Sequence, residues 1–251
     1  MQVKQPEIVE EMNRLIAAAA AKDIRLRAIG GLAVQTHNKG DHAIFIREYP
    51  DLDFVVQRKQ RREFEAFMNE LGFLPNKQFN LLNGAQRQIY YEKKSGMRID
   101  VFVGDFEMCH KIPLEDRLHL DPTTIPLTEL LLSKAQIVEL NRKDSLDLIA
   151  LLLYNPTGHD DDDKINLDYI AQLCSQDWGL YKTTSLNLMR VKDMVNAEDL
   201  ELSDHERALV LGRVGEILDA FETMDKPLAW QLRDRVGTRV RWYTEVEEVD
   251  R

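Results

Sequence analysis

Cysteine is scarce in this chain of 251 residues: Cys109 and Cys174 are the only two, far apart and in no CxxC pair. That excludes a disulfide framework and a cysteine-rich zinc site. Long apolar runs are missing as well. No stretch approaches the roughly 18 uninterrupted apolar residues of a membrane span, so no membrane partner is expected. The amino terminus, MQVKQPEIVEEM, lacks the apolar core of a signal peptide, and the expected compartment is the cytoplasm. A surplus of positive charge is also absent. Lys and Arg number 33 against 43 Asp and Glu, a formal net charge of −10, whereas nucleic-acid binders usually present a basic footprint. Local basic clusters occur at Arg58–Lys59 with Arg61–Arg62, and at Arg233, Arg235, Arg239 and Arg241. Their simpler reading is solvated helix faces; the alternative is a groove for RNA or a triphosphate. Neither the GxxxxGK[ST] phosphate loop nor the GxGxxG dinucleotide fingerprint occurs.

What is present is an ordinary globular balance, 44% hydrophobic and 30% charged, in a chain long enough for one large or two small domains. Ile8, Met12, Leu15, Ile16 and Ala19 recur at helical spacing. "IRLRAIGG" then alternates as a strand does, ends in Gly30–Gly31, and gives way to a short helical pattern in "GLAVQTH". "NKGDHAIFIREYP" reads as a disordered insert leading to the strand "DLDFVV". Residues 60 to 71 read as a helix closed by Gly72. "RQIYYE" and "MRIDVFV" read as strands joined by the turn "KKSG". After Pro126 the pattern turns helical and stays so to about Val246, with breaks near Asn141, Pro156, Asp177, Ser203 and Pro227. The expected fold class is α+β: a mixed β-sheet with flanking helices over residues 1–120, followed by an all-helical region over 121–251. The acidic run "HDDDDK" (159–164) lacks the spaced ligands of a calcium loop and reads as a solvated segment preceding a helix amino terminus.

Three carboxylates carry the chemistry. Asp51 and Asp53 alternate with Leu52 and therefore share one face of a strand, their Cβ atoms roughly 7 Å apart. Asp100 lies inside the apolar run "RIDVFV", where a charge is costly without a partner. If the two strands are neighbours, about 4.8 Å apart, the three carboxylates meet on one face. Clustered anions repel one another unless a cation neutralises them, and oxygen-only ligands favour Mg2+ or Mn2+ over zinc. Such cations bridge phosphate oxygens. Gly30–Gly31 before a helix would let backbone N–H groups approach a phosphate.

Together, "AIGGLAVQTH", "REYPDLDFVV" and "MRIDVFV" resemble the nucleotidyltransferase superfamily typified by DNA polymerase β. More narrowly the chain resembles the minimal nucleotidyltransferases of abortive-infection toxins, whose Lys-Leu and Lys-Asp helices correspond to "SKAQIVELNRKDSLDLIAL". The resemblance covers roughly residues 25 to 155. It implies a nucleoside triphosphate as substrate and transfer of a nucleoside monophosphate to an acceptor hydroxyl with release of pyrophosphate. It further implies that Asp51 and Asp53 hold the metals and that Asp100 helps bind the catalytic metal and activates the acceptor. Gly30 and Gly31 would support the triphosphate, with Arg47 pairing a phosphate or Asp51. Lys134 would meet a phosphate, and Asp144 would line the nucleotide pocket or brace Lys134. Tyr49 stands where the family often has threonine, and Ala135 where the toxins have leucine. The acceptor, whether small molecule, protein or RNA, is open. Two further readings stand beside this one: a nucleotide-binding module without turnover, and a toxin acting on tRNA.

Overall fold

The computed structural model describes residues 5–197 and 200–245. In chain order the elements are α1 (Gln5–Ala20), β1 (Leu26–Ile29), α2 (Gly30–Thr36), β2 (Asp51–Val56), α3 (Arg61–Glu70), β3 (Leu74–Pro75), α4 (Lys77–Asn83), β4 (Arg87–Tyr91) and β5 (Arg98–Val103). These are followed by β6 (Phe106–Glu107), β7 (Lys111–Ile112), α5 (Leu127–Ala135), α6 (Arg142–Tyr154), β8 (Thr157–Gly158), β9 (Ile165–Asn166), α7 (Leu167–Gln176), α8 (Trp178–Asn196), α9 (Asp204–Thr223) and α10 (Leu228–Val236). The fold class is α+β, as the sequence pattern implies.

The chain packs as two compact units. Among the described residues, one runs up to Thr36 and includes Ile46–Phe106 and Pro113–Pro126; the other takes His37–Phe45, Glu107–Ile112 and those from Leu127 onward. Where the sequence suggested a single cut between residues 120 and 121, the units interleave. The segment that read as a disordered insert is ordered over its first half: Ala43–Phe45 form a 3-10 turn. His42 explains why, with Nδ1 2.6 Å from the Tyr154 hydroxyl and Nε2 3.0 Å from Glu206, all within the second unit. A polar, glycine-containing stretch can be ordered by side-chain partners far away in sequence, which composition does not reveal.

In the first unit the sheet order is β1-β2-β5-β4-β3. β2 runs antiparallel to β1 and parallel to β5, and β4–β5 is the antiparallel hairpin expected around "KKSG". One face is dry. Leu52, Phe54, Val56, Ile99, Val101 and Val103 alternate onto it and are essentially inaccessible to solvent. Tyr90, level with Ile99 on this face, meets Phe64 of α3 edge-on at 6.0 Å between ring centroids. The dry face leaves the opposite one for polar side chains.

The second unit is mostly helical, and its helices begin where the sequence signalled breaks. Asn141, Asp177 and Ser203 each cap a helix by accepting from a backbone N–H, Ser203 within a reciprocal capping box with Glu206. Pro227 precedes α10, and Pro156 lies just past α6. Two features depart from the all-helical expectation. β8 and β9 pair in parallel around the acidic run, in which Lys164 binds Asp160 and His159 binds Asp168. The last α-helix also ends at Val236, followed by a 3-10 turn over Gly237–Arg239, rather than continuing toward Val246, which lies outside the described residues. No helix among the described residues is long and apolar enough to cross a membrane.

Candidate functional site

The polar face of the first unit's sheet is built by register. Asp53 lies level with Asp100, and Asp51 with Arg98, across the parallel β2–β5 pair; Ile29 lies level with Asp53 across β1–β2. In-register partners share a face, so the neighbouring-strand arrangement expected of Asp51, Asp53 and Asp100 is met. Asp51 and Asp53 are half-buried at the mouth of the row, and Asp100 is buried behind them.

Gly30 closes this row on the β1 side. It has φ 82°, a conformation that L side chains avoid, and an added Cβ would sit 2.6 Å from Asp53 Oδ2. Glycine is therefore required twice over, by backbone shape and by the carboxylate leaning against it. Gly31 is under a second lid: an added Cβ would collide with the Arg47 guanidinium and come within 2.8 Å of the Tyr49 ring. Arg47 itself lies 5.1 Å from the centre of that ring, a cation–π stack. The departure at Tyr49 thus has a structural consequence, since its ring carries Arg47 over the glycine pair.

Asp100 differs from what its sequence context suggests. Arg87 grips it in a two-pronged pair, Nε to Oδ1 at 2.8 Å and Nη2 to Oδ2 at 2.6 Å, and Arg98 Nη2 adds a third contact at 2.9 Å. The partner that a buried carboxylate demands is a pair of guanidiniums belonging to the chain itself. Burial works against the charge on Arg87, but hydrogen bonding to Asp100 and the charges of Asp100, Asp53 and Asp51 outweigh it and raise its pKa. The guanidinium is also held 5.0 Å over the Phe102 ring, which meets Phe106 edge-on at 4.7 Å. Arg98 keeps one buried N–H, at Nε, with no hydrogen-bond partner among the described residues.

Neither arginine was singled out in the sequence, although the signal was there. Arg98 precedes Asp100 by two and so shares its face. Once "KKSG" is taken as the hairpin turn, Ile89 falls opposite Asp100 and Arg87 falls one same-face step away.

With respect to a divalent cation, Asp51 and Asp53 offer the oxygen donors such an ion takes, at the open end of the row. Asp100 does not fit in the conformation seen, because three of its roughly four acceptor positions are occupied. Among the described residues no group of three His, Cys, Asp or Glu side chains is arranged to hold a metal ion.

Lys134 and Asp144 belong to the second unit. All nine residues of α5 are buried, and the Lys134 ammonium sits 2.9 Å from both Asp144 Oδ1 and Asp147 Oδ2. Burial alone would lower the lysine's pKa; the charges of Asp147 and Asp144 and hydrogen bonds to both raise it instead. Asn141 fixes Asp144 from the other side, donating to Oδ2 at 2.7 Å and accepting from the Asp144 backbone N–H at 3.0 Å. Of the two roles foreseen for Asp144, the structure displays the bracing one, and Asp147 shares it.

The first unit thus places a glycine pair after β1, Asp-x-Asp on β2 and a lone Asp in register with it on β5. No protein-family model matches the chain, and no curated protein matches its sequence. Two solved structures show a distant similarity to the chain. An antigenic nucleotidyltransferase-like protein from Paracoccidioides brasiliensis is 15% identical, with a TM-score of 0.47 over 93% of this chain and 100% of its own. The antibiotic-resistance factor ANT(2'')-Ia is 12% identical, with a TM-score of 0.40 over 73% of this chain and 93% of its own.

Proposed function

We propose that this protein transfers a nucleoside monophosphate from a nucleoside triphosphate to an acceptor hydroxyl. The acceptor oxygen bonds to the α-phosphorus as the bond to the β-phosphate oxygen breaks, releasing pyrophosphate. The observation that carries this reading is the in-register row of Asp51, Asp53 and Asp100, closed by a glycine whose backbone abuts Asp53. Asp51 and Asp53 would hold Mg2+ or Mn2+, which when bound neutralises phosphate charge. The chain's own contribution is positioning. Gly30 and Gly31 present backbone without side chains, the start of α2 favours an anion, and Arg47 on Tyr49 offers a cation beside Gly31. Asp100 would accept the acceptor's proton once released from Arg87.

A second reading, a module that binds nucleotide without turnover, is favoured by one observation: Asp100 is paired with Arg87 and Arg98. Incubation with each labelled triphosphate, Mg2+ and a mixed acceptor pool separates the two. The enzyme reading expects pyrophosphate release that Asp53→Asn abolishes. In metal-free buffer the same variant should melt at an unchanged or higher temperature, because it removes repulsion between carboxylates. Nucleotide bound without pyrophosphate release would favour the module. RNA as acceptor would show as retention that weakens steeply with salt.

A further inference from the structure

A nucleotidyltransferase-like row of three carboxylates would present three anionic ligands, yet here the innermost one is already neutralised. Arg87 occupies one edge of Asp100 with two parallel contacts, and Arg98 takes a third. A guanidinium fork and a divalent cation draw on the same carboxylate oxygens and the same negative charge, so they compete. The three side chains are not equally placed to yield. Asp100 is 4% exposed and Arg98 16%, whereas Arg87 is 23% exposed. In the same conformation the Arg87 guanidinium lies over the Phe102 ring.

We propose that Arg87 is a counter-ion gate on Asp100. Its guanidinium competes with a divalent cation for this carboxylate, so a cation entering the row meets Asp51 and Asp53 while Asp100 is withheld until Arg87 leaves. The chain then has two states: one with the inner charge satisfied internally and only a weak cation site at the mouth, the other with Arg87 displaced and the full row available. The same exchange would decide when Asp100 can act as a base. This inference rests on the proposed function only in taking a divalent cation as the ligand.

The test uses the full chain and Mn2+ alone, with no nucleotide, reading free Mn2+ by electron paramagnetic resonance. Arg87→Met keeps an apolar stem over Phe102 and removes the competitor. It should bind Mn2+ tighter than the unaltered protein by about tenfold or more, the scale on which groups around a metal site tune affinity. The gain should vanish in Arg87→Met combined with Asp100→Asn. Equal or weaker binding by Arg87→Met would overturn the proposal, as would a gain that survives loss of the Asp100 charge. If Arg87→Met unfolds too readily for titration, its melting temperature is followed against Mn2+. The proposal requires a larger Mn2+-induced rise than in the unaltered protein, and an equal or smaller rise overturns it. Because no turnover is read, a protein that transfers no nucleotide would sink the functional reading and leave this result standing. The reverse also holds.

Discussion

Each unit of this protein buries one charge between two of the opposite sign, and the two clusters are near mirror images. In the first, a carboxylate, Asp100, lies between the guanidiniums of Arg87 and Arg98. In the second, an ammonium, Lys134, lies between the carboxylates of Asp144 and Asp147. The difference is in what surrounds them. Asp100 belongs to a row that continues to Asp51 and Asp53 at a wetter mouth, and Arg87 is itself part-exposed. Lys134 lies in a helix buried along its whole length, and Asn141 locks one of its two partners. A planar fork at the start of a strand suits exchange, whereas a point charge enclosed by helices suits permanence. The comparison teaches that a buried charge pair is not by itself a mark of function or of structure. Access decides which.

The largest expected effect would test the permanence of the second cluster. Lys134→Ala leaves the buried Asp147 and the half-buried Asp144 carboxylates facing each other and should lower the free energy of unfolding by about 3–5 kcal/mol. Urea denaturation at neutral pH measures it, and a loss under about 1 kcal/mol would mean that water already reaches the pair. The folded-state pKa of Lys134 is raised, so its contribution is complete below the unfolded value and disappears only as alkaline pH passes through the folded one.

A smaller effect would sharpen the picture of the first cluster. Gly30→Ala forces an L side chain to positive φ and into Asp53 Oδ2, and should cost about 1–3 kcal/mol in stability. It should also displace Asp53, so Mn2+ binding at the mouth should weaken together with stability. If thermal melting shifts but cation binding is untouched, Gly30 shapes the turn and not the site.

The smallest effect concerns a buried titratable group paired with a hydroxyl rather than an opposite charge. His110 lies in the second unit with Nε2 2.8 Å from the Thr183 hydroxyl. Burial pushes its pKa down, and the charge of Asp177 offsets only part of that. A histidine with a lowered folded pKa favours the fold above its unfolded value of about 6.5, and the advantage is lost as pH falls below it. The melting temperature should therefore drop modestly between pH 7 and pH 5.5, and His110→Gln should flatten that slope. An unchanged slope would assign the acid sensitivity to other groups.

Much of this was legible in one dimension. The strands of the first unit announce themselves by alternation, and the helix starts of the second by Asn141, Asp177 and Ser203, residues whose side chains reach their own backbone. Alternation also puts Asp51 and Asp53 on one face, and Asp100 with Arg98 on one face, because side-chain direction in a strand is a local property. Local chemistry likewise fixes the glycine pair as a place where backbone lies bare. Only the tertiary structure decided which strands lie side by side, and hence that Asp53 is level with Asp100. It also decided that the partner of Asp100 is Arg87, that Lys134 is gripped by Asp144 and Asp147, and that His42 draws a polar segment onto Tyr154 and Glu206. The physical reason is common to all of these. A sequence states that a buried charge must be compensated, since the cost of leaving it alone is set by the residue itself. The partner is set by register and packing, which join residues that the sequence keeps apart.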